Sequence, residues 1–125
     1  MRIDVHAHYF PEAYTSRLAE LGLAHAGRGG QSPDLSGRLK ALDDNRCDHQ
    51  ILSAVGLDTQ VPNLAGAVEG ARLGNDIYAQ TVQQTGGRFR AFGWVPLPYV
   101  DEAIAEAIRC LDELKFEGIC FAFSS

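Results

Sequence analysis

The sequence has no long apolar run: nothing in it approaches the ~20 consecutive apolar residues of a membrane-spanning helix, so a membrane partner is not expected. The start, Met1-Arg2-Ile3-Asp4-Val5-His6, carries no apolar leader segment, and a cytoplasmic protein is expected. Basic residues are scattered singly and the formal net charge is -5. Without a basic stripe to neutralise phosphates, nucleic acid is excluded as an expected partner. Cysteines number only three, Cys47, Cys110 and Cys120, far apart and in no CxxC pair. That excludes a disulfide framework and fits reduced thiols acting as small buried hydrophobes. A disorder-prone composition is missing too, since 46% of residues are apolar and periodic segments follow one another, as in ordinary globular α/β proteins. At 125 residues the chain holds one domain or part of one.

What is present alternates between two periods. Ile3, Val5 and Ala7 alternate with Asp4, His6 and His8, which predicts a first strand with the acidic residue and both histidines on one face. Pro11 opens a short helix carrying Tyr14, Leu18 and Leu21 up to Gly22, and residues 24–33 are a polar surface loop. Asp34 begins a second helix that presents Leu35, Leu39 and Leu42 and ends near Asn45, a residue that tolerates a left-handed cap. Residues 49–55 read as a second strand and 63–84 as a long helix stopped by Gly86-Gly87. Gly66, Gly70 and Gly74 weaken that helix, so their four-residue spacing predicts close packing on a neighbour. Residues 89–95 are a third strand, closed by Pro96 and Pro98. A last helix follows, with Asp101 as N-cap and Ile104, Ala107, Ile108, Leu111 and Leu114 as its core-facing stripe. Residues 118–123 form a fourth apolar strand, two residues before Ser125. Strands separated by helices predict a parallel sheet covered by helices, an α/β fold.

The chemistry concentrates at the end of the first strand. His6 and His8, two apart on a strand, leave the same face with Cα atoms ~7 Å apart. Two such imidazoles can bracket one ion at ~2.0–2.1 Å, and zinc accepts nitrogen ligands of this kind. The bland alternative is a pair of strand histidines that alternate by chance. Asp4 is expected to be a structural carboxylate rather than a direct ligand. Tyr9 and Phe10 follow on the same loop, where Phe10 is a candidate wall of a substrate pocket, its alternative being a hydrophobic lid. His25 is expected to be solvated and His49 structural, while Arg88 and Arg90 are expected to form surface ion pairs. Trp94 is expected in the core, and Ser53 and Ser124 stand near strand ends where they could reach the mouth.

The stretch Ile3-Asp4-Val5-His6-Ala7-His8-Tyr9-Phe10-Pro11 resembles the opening of amidohydrolase-related enzymes, in the branch containing aminocarboxymuconate-semialdehyde decarboxylase and aromatic-acid decarboxylases. Residues 42–53, Gly74-Asn75-Asp76, residues 87–97 and residues 103–120 are similar to the same branch in the same order. Two places depart from it. Asn45-Arg46-Cys47 stands where the family has a Gly and a small apolar residue, and Lys115-Phe116-Glu117 replaces a Gly-containing turn.

The resemblance implies a TIM-type (β/α)8 barrel, of which these 125 residues are the first half, about four βα units. It also implies a divalent metal, expected to be zinc, held by His6 and His8, and a small organic acid as substrate. The remaining ligands and a catalytic His are expected on later strands, so no catalytic residue is assigned within this chain, and alone it is expected to be inactive. Decarboxylation is favoured over hydrolysis. One rival is the group of phosphoesterases and deoxyribonucleases that also begin with HxH, which calls for a different continuation after His8. Another is a genuine half-barrel that forms a homo-oligomer through its open edges and binds metal or a partner without catalysis.

Overall fold

The computed structural model describes residues 1–22, 34–54 and 63–121. Strands β1 (Ile3–His8), β2 (His49–Ser53), β3 (Phe89–Gly93) and β4 (Gly118–Ile119) lie in the spatial order β1-β2-β3-β4, every pair parallel. Between them run α1 (Glu12–Glu20), α2 (Leu35–Asp44), α3 (Leu64–Gln84) and α4 (Val100–Ile108), the last continuing into a π-helical turn, Arg109–Glu113. Parallel neighbours in chain order, each pair joined through helix, are successive βα units of a partial barrel. None of the helices among the described residues is long and apolar enough to cross a membrane.

The helix starts follow from capping chemistry. Asp34 accepts the Gly37 N–H at 2.7 Å and Asn63 the Gly66 N–H at 2.8 Å, each satisfying a free donor of the first turn. The core joins Leu52, Phe89 and Ala91 of the sheet to Tyr14 and Leu18 of α1 and Ala71 and Tyr78 of α3. The glycine spacing of α3 serves this contact: a Cβ on Gly74 would stand 2.8 Å from Tyr14 Cε2, and one on Gly70 3.0 Å from Leu18 Cδ2. Gly86 and Gly87, at φ 58° and 81°, end α3 in a conformation that side chains disfavour. Cys47 and Cys110 are buried, and all three cysteines are free.

Several expectations need correction. The left-handed residue after α2 is Arg46 (φ 51°), not Asn45 (φ -94°). Among the described residues, Arg46 and Lys115 (φ 57°) are the non-glycine positions in that region. They fall in the two segments that depart from the resembled family, which explains its preference for Gly there. β3 ends at Gly93, short of residue 95, because the Asn75 side chain takes the Trp94 backbone: Trp94 N–H donates to Oδ1 at 2.9 Å, and Nδ2 donates to Trp94 O at 2.8 Å. α4 starts at Val100, so Asp101 and Glu102 sit in its first turn, where their charge suits the helix dipole, and Asp101 is not the cap.

The stripe of α4 is also turned. Ala103, Glu106 and Cys110 face inward, whereas Ile104 and Ile108 are 55% exposed and Leu111 43%. A close approach goes with this: a Cβ on Gly93 would lie 2.7 Å from Cys110 Sγ, so β3 and the turn that continues α4 meet with no space for a side chain at position 93. Residues 24–33 with His25, the end of the predicted second strand at Val55, and Ala122, Phe123 and Ser124 lie outside the described residues.

Candidate metal and substrate site

In a parallel βα array the C-terminal strand ends share one mouth. His8 stands there opposite Ser53 in the register of β1 with β2. Preceding it, Ala7 packs into the core against the helices, so His8 faces away from them. The ladder is not regular. Asp4 pairs with Gln50 and Ala7 with Leu52, so Val5 and His6 together oppose Ile51 in a β-bulge, a device that re-aims side chains.

The bulge divides the residues expected on one face. Ring centroids of His6 and His8 lie 4.9 Å apart, edge to face, so these two stay together. Asp4 instead turns beneath the sheet, where its carboxylate accepts from Gln50 Nε2 at 2.8 Å and lines a cavity of about 580 Å³ with Arg38, Gly37 and Leu42 of α2. Asp4 therefore does not share the face of the histidines, since one surplus residue shifts the alternation between it and Ala7.

Around His8 the contacts are specific. Phe10 stacks on its ring, centroids 6.0 Å apart and planes 6° from parallel. Ser53 Oγ lies 3.5 Å from His8 Nδ1. Arg38 donates to the His8 carbonyl at 2.7 Å and sits 5.0 Å from the Tyr9 ring centroid. Tyr78 Oη donates to the Tyr9 carbonyl at 2.5 Å. Burial raises the Tyr9 phenol above its ordinary value, with the Arg38 charge opposing, so it is neutral at neutral pH. His6 is exposed and His8 half-buried.

Whether this donor set suits an ion can be checked on the rings. An ion ~2.1 Å from a coordinating nitrogen lies ~3.2 Å from that ring's centroid, and two such vectors opening at ~100° separate the centroids by ~4.9 Å. The observed 4.9 Å is a separation at which both imidazoles can reach one centre. Among the described residues no group of three His, Cys, Asp or Glu side chains could complete such a site.

The other candidates lie elsewhere. At the N-terminal strand ends, His49 Nδ1 is 2.9 Å from Gly87 O, Arg88 pairs with Asp43 at 2.9 Å and Arg90 with Glu117 at 3.2 Å, as expected of structural residues. Trp94 is buried. Sequence reasoning missed Arg38, Gln50 and the trio of buried Asn75 and Glu106 with half-buried Arg109. In that trio Asn75 Nδ2 donates to Glu106 Oε1 at 2.8 Å, and Arg109 grips the same carboxylate at 2.9 and 2.7 Å. The Gly74-Asn75-Asp76 segment was the one available signal.

Parallel βα units with a histidine pair at their C-terminal strand ends define part of a (β/α)8-type barrel, and the chain belongs to the amidohydrolase family, whose model matches residues 3–124. The gamma-resorcylate decarboxylase of Rhodococcus jostii is 37% identical over 82 residues, 65% of this chain and 25% of that protein. The structure of dihydroxybenzoic acid decarboxylase from Polaromonas sp. JS666, with bound manganese and the inhibitor 2-nitroresorcinol, matches with TM-score 0.76 at 25% identity, over 94% of this chain and 37% of that one. The 5-carboxyvanillate decarboxylase of Sphingomonas paucimobilis shares the fold, with TM-score 0.83 at 22% identity over 99% of this chain and 43% of that one. The chain thus spans about a quarter of the length of the curated relatives it matches.

Proposed function

We propose that residues 1–125 are the first half of the barrel of a divalent-metal-dependent decarboxylase acting on a small organic acid of the dihydroxybenzoate kind. In it His6 and His8 are metal ligands and Phe10 is a wall of the substrate pocket. The observation that carries the reading is the pairing of the two imidazoles, ring centroids 4.9 Å apart, at the C-terminal end of β1. The decarboxylase relative at 37% identity favours loss of carbon dioxide over hydrolysis.

Zinc suits two imidazoles, whereas manganese is the ion in the Polaromonas relative, so the metal content of the purified protein decides between them. When bound, the cation would supply positive charge to orient the acid and to stabilise charge developing as carbon dioxide leaves. Phe10 offers a flat apolar face parallel to His8, suited to an aromatic acid and to excluding water. Two imidazoles fall short of the usual three protein ligands, and the missing groups belong to the rest of the barrel. The partner is a small molecule, and the free cysteines favour a cytoplasmic location.

The test uses the full-length protein with 2,6-dihydroxybenzoate, measuring carbon dioxide release and bound metal. The double variant His6→Ala with His8→Ala is expected to lose both together, by more than the ~100-fold that loss of an outer hydrogen-bonding partner costs. Retained activity would refute the metal assignment. The exposed Ile104, Ile108 and Leu111 of α4 favour a second reading, a self-associating half-barrel without catalysis. A native mass matching this chain together with a sharp dimer in sedimentation would favour it, and a mass more than twice as large would exclude it.

A further inference from the structure

A polar chain runs beneath β1, on the side facing α2. Arg38 Nη2 donates to the His8 carbonyl at 2.7 Å and Nη1 to Gln50 Oε1 at 3.5 Å. Gln50 Nε2 donates to Asp4 Oδ2 at 2.8 Å, and Asp4 Oδ1 accepts the His6 backbone N–H at 3.1 Å. The chain therefore begins on the carbonyl of one candidate ligand and ends on the amide of the other, bridging the bulge between them. Its order follows from donor chemistry. A guanidinium only donates and a carboxylate only accepts, so the group between them must do both, as a primary amide does. The guanidinium is further held against the Tyr9 ring, and it projects from a helix whose first turn is capped by Asp34, a firmer base than a loop.

We propose that Arg38 is a positioning residue which, through Gln50 and Asp4, holds the His6-Ala7-His8 backbone in the bulged form that keeps the two imidazoles together, ring centroids 4.9 Å apart. Its consequence for affinity rests on the metal reading above, whereas its effect on ring placement does not. Arg38→Met keeps an apolar stem and removes every donor. Gln50→Glu keeps the acceptor for Arg38 but sets an anion against Asp4, so it strikes the His6 end and spares the His8 end.

The experiment takes the full-length protein and records histidine ring resonances without metal, then the Mn2+ dissociation constant by electron paramagnetic resonance, with circular dichroism as a check on folding. Arg38→Met is expected to shift or broaden the His8 ring signals and weaken Mn2+ binding ~10–100-fold. Arg38→Lys, which can still donate to the His8 carbonyl, is expected to recover part of the loss. Gln50→Glu is expected to move the His6 signals while leaving those of His8 in place. Ring signals unmoved in both variants, with Mn2+ affinity within about twofold of the parent, would overturn the proposal. A parent that takes up no Mn2+ defeats the manganese reading alone, and the ring signals then decide the positioning role by themselves. If Arg38→Met does not fold, the His6 signals of Gln50→Glu decide it: moved, they support the polar chain, and unmoved, they overturn it.

Discussion

Replacing Asn75 with Ala removes a side chain that is 0% exposed and that ties β3, α3 and α4 together. Trp94 N–H loses its acceptor and Trp94 C=O the Asn75 donor, at a buried site. A buried backbone group left without a partner costs ~1–3 kcal/mol. Glu106 suffers less, because Arg109 still grips both of its oxygens. Two orphaned groups give a loss of about 4 kcal/mol, a large part of the ~5–15 kcal/mol that holds a typical domain folded. With an m-value of ~1.5 kcal/mol/M, the urea midpoint should fall by about 2–3 M, read by tryptophan fluorescence at Trp94 and by circular dichroism. Asn75→Asp, which sets a second carboxylate beside Glu106, should be no better tolerated. A loss under about 1 kcal/mol at unchanged m-value would show that the Trp94 backbone finds other partners and that the clamp is not structural.

Two further perturbations have definite signs. Arg46→Gly and Lys115→Gly each relieve a left-handed residue worth ~1–2 kcal/mol, against the ~0.5–1 kcal/mol entropic cost of glycine, so each should raise stability by up to about 1.5 kcal/mol in urea titration. A fall in stability would contradict this. Asp48 accepts the Arg2 N–H at 2.6 Å, and that bond, foremost among the causes, holds its carboxyl below the ordinary carboxylate value. A depressed acid stabilises the fold above its unfolded pKa of ~3.9 and loses that contribution as the pH falls through the lower folded value. Asp48→Asn should therefore lower the melting temperature at neutral pH, and the gap should close in acid. A gap that widens on acidification would reverse the assigned sign.

Local chemistry made much of the fold legible. The starts of α2 near Asp34 and of α3 near Asn63, the stop at Gly86-Gly87 and the glycine spacing of α3 are short-range signals that the structure follows, and it adds the capping roles of Asp34 and Asn63, which the sequence reading had not assigned. Features set by tertiary approach were hidden. The sequence from Ile3 to His8 alternates without a flaw, so nothing in it reveals that Val5 and His6 share one partner; only the pairing with β2 does. The apolar stripe of α4 pointed to the wrong face, and the closeness of Gly93 to Cys110 that goes with this depends on two segments distant in sequence. Arg38 and Gln50 lie on an ordinary amphipathic helix and a strand, and polar residues there carry no periodic mark of what they hold. The histidine pair was legible as a motif, and among the described residues no third His, Cys, Asp or Glu joins it to make a metal-binding group.

The bulge in β1 bears on how relatives of this chain are lined up. Val5 is 61% exposed and is the surplus residue of its strand. A relative one residue shorter there would carry a regular ladder, yet its acidic residue would still face the helices and its histidines the mouth. Comparisons that forbid a gap inside a strand would then slide one sequence past the other by a position and equate a mouth-facing residue with one that faces the helices. Allowing a one-residue gap between Asp4 and His6 keeps equivalent side chains on equivalent faces.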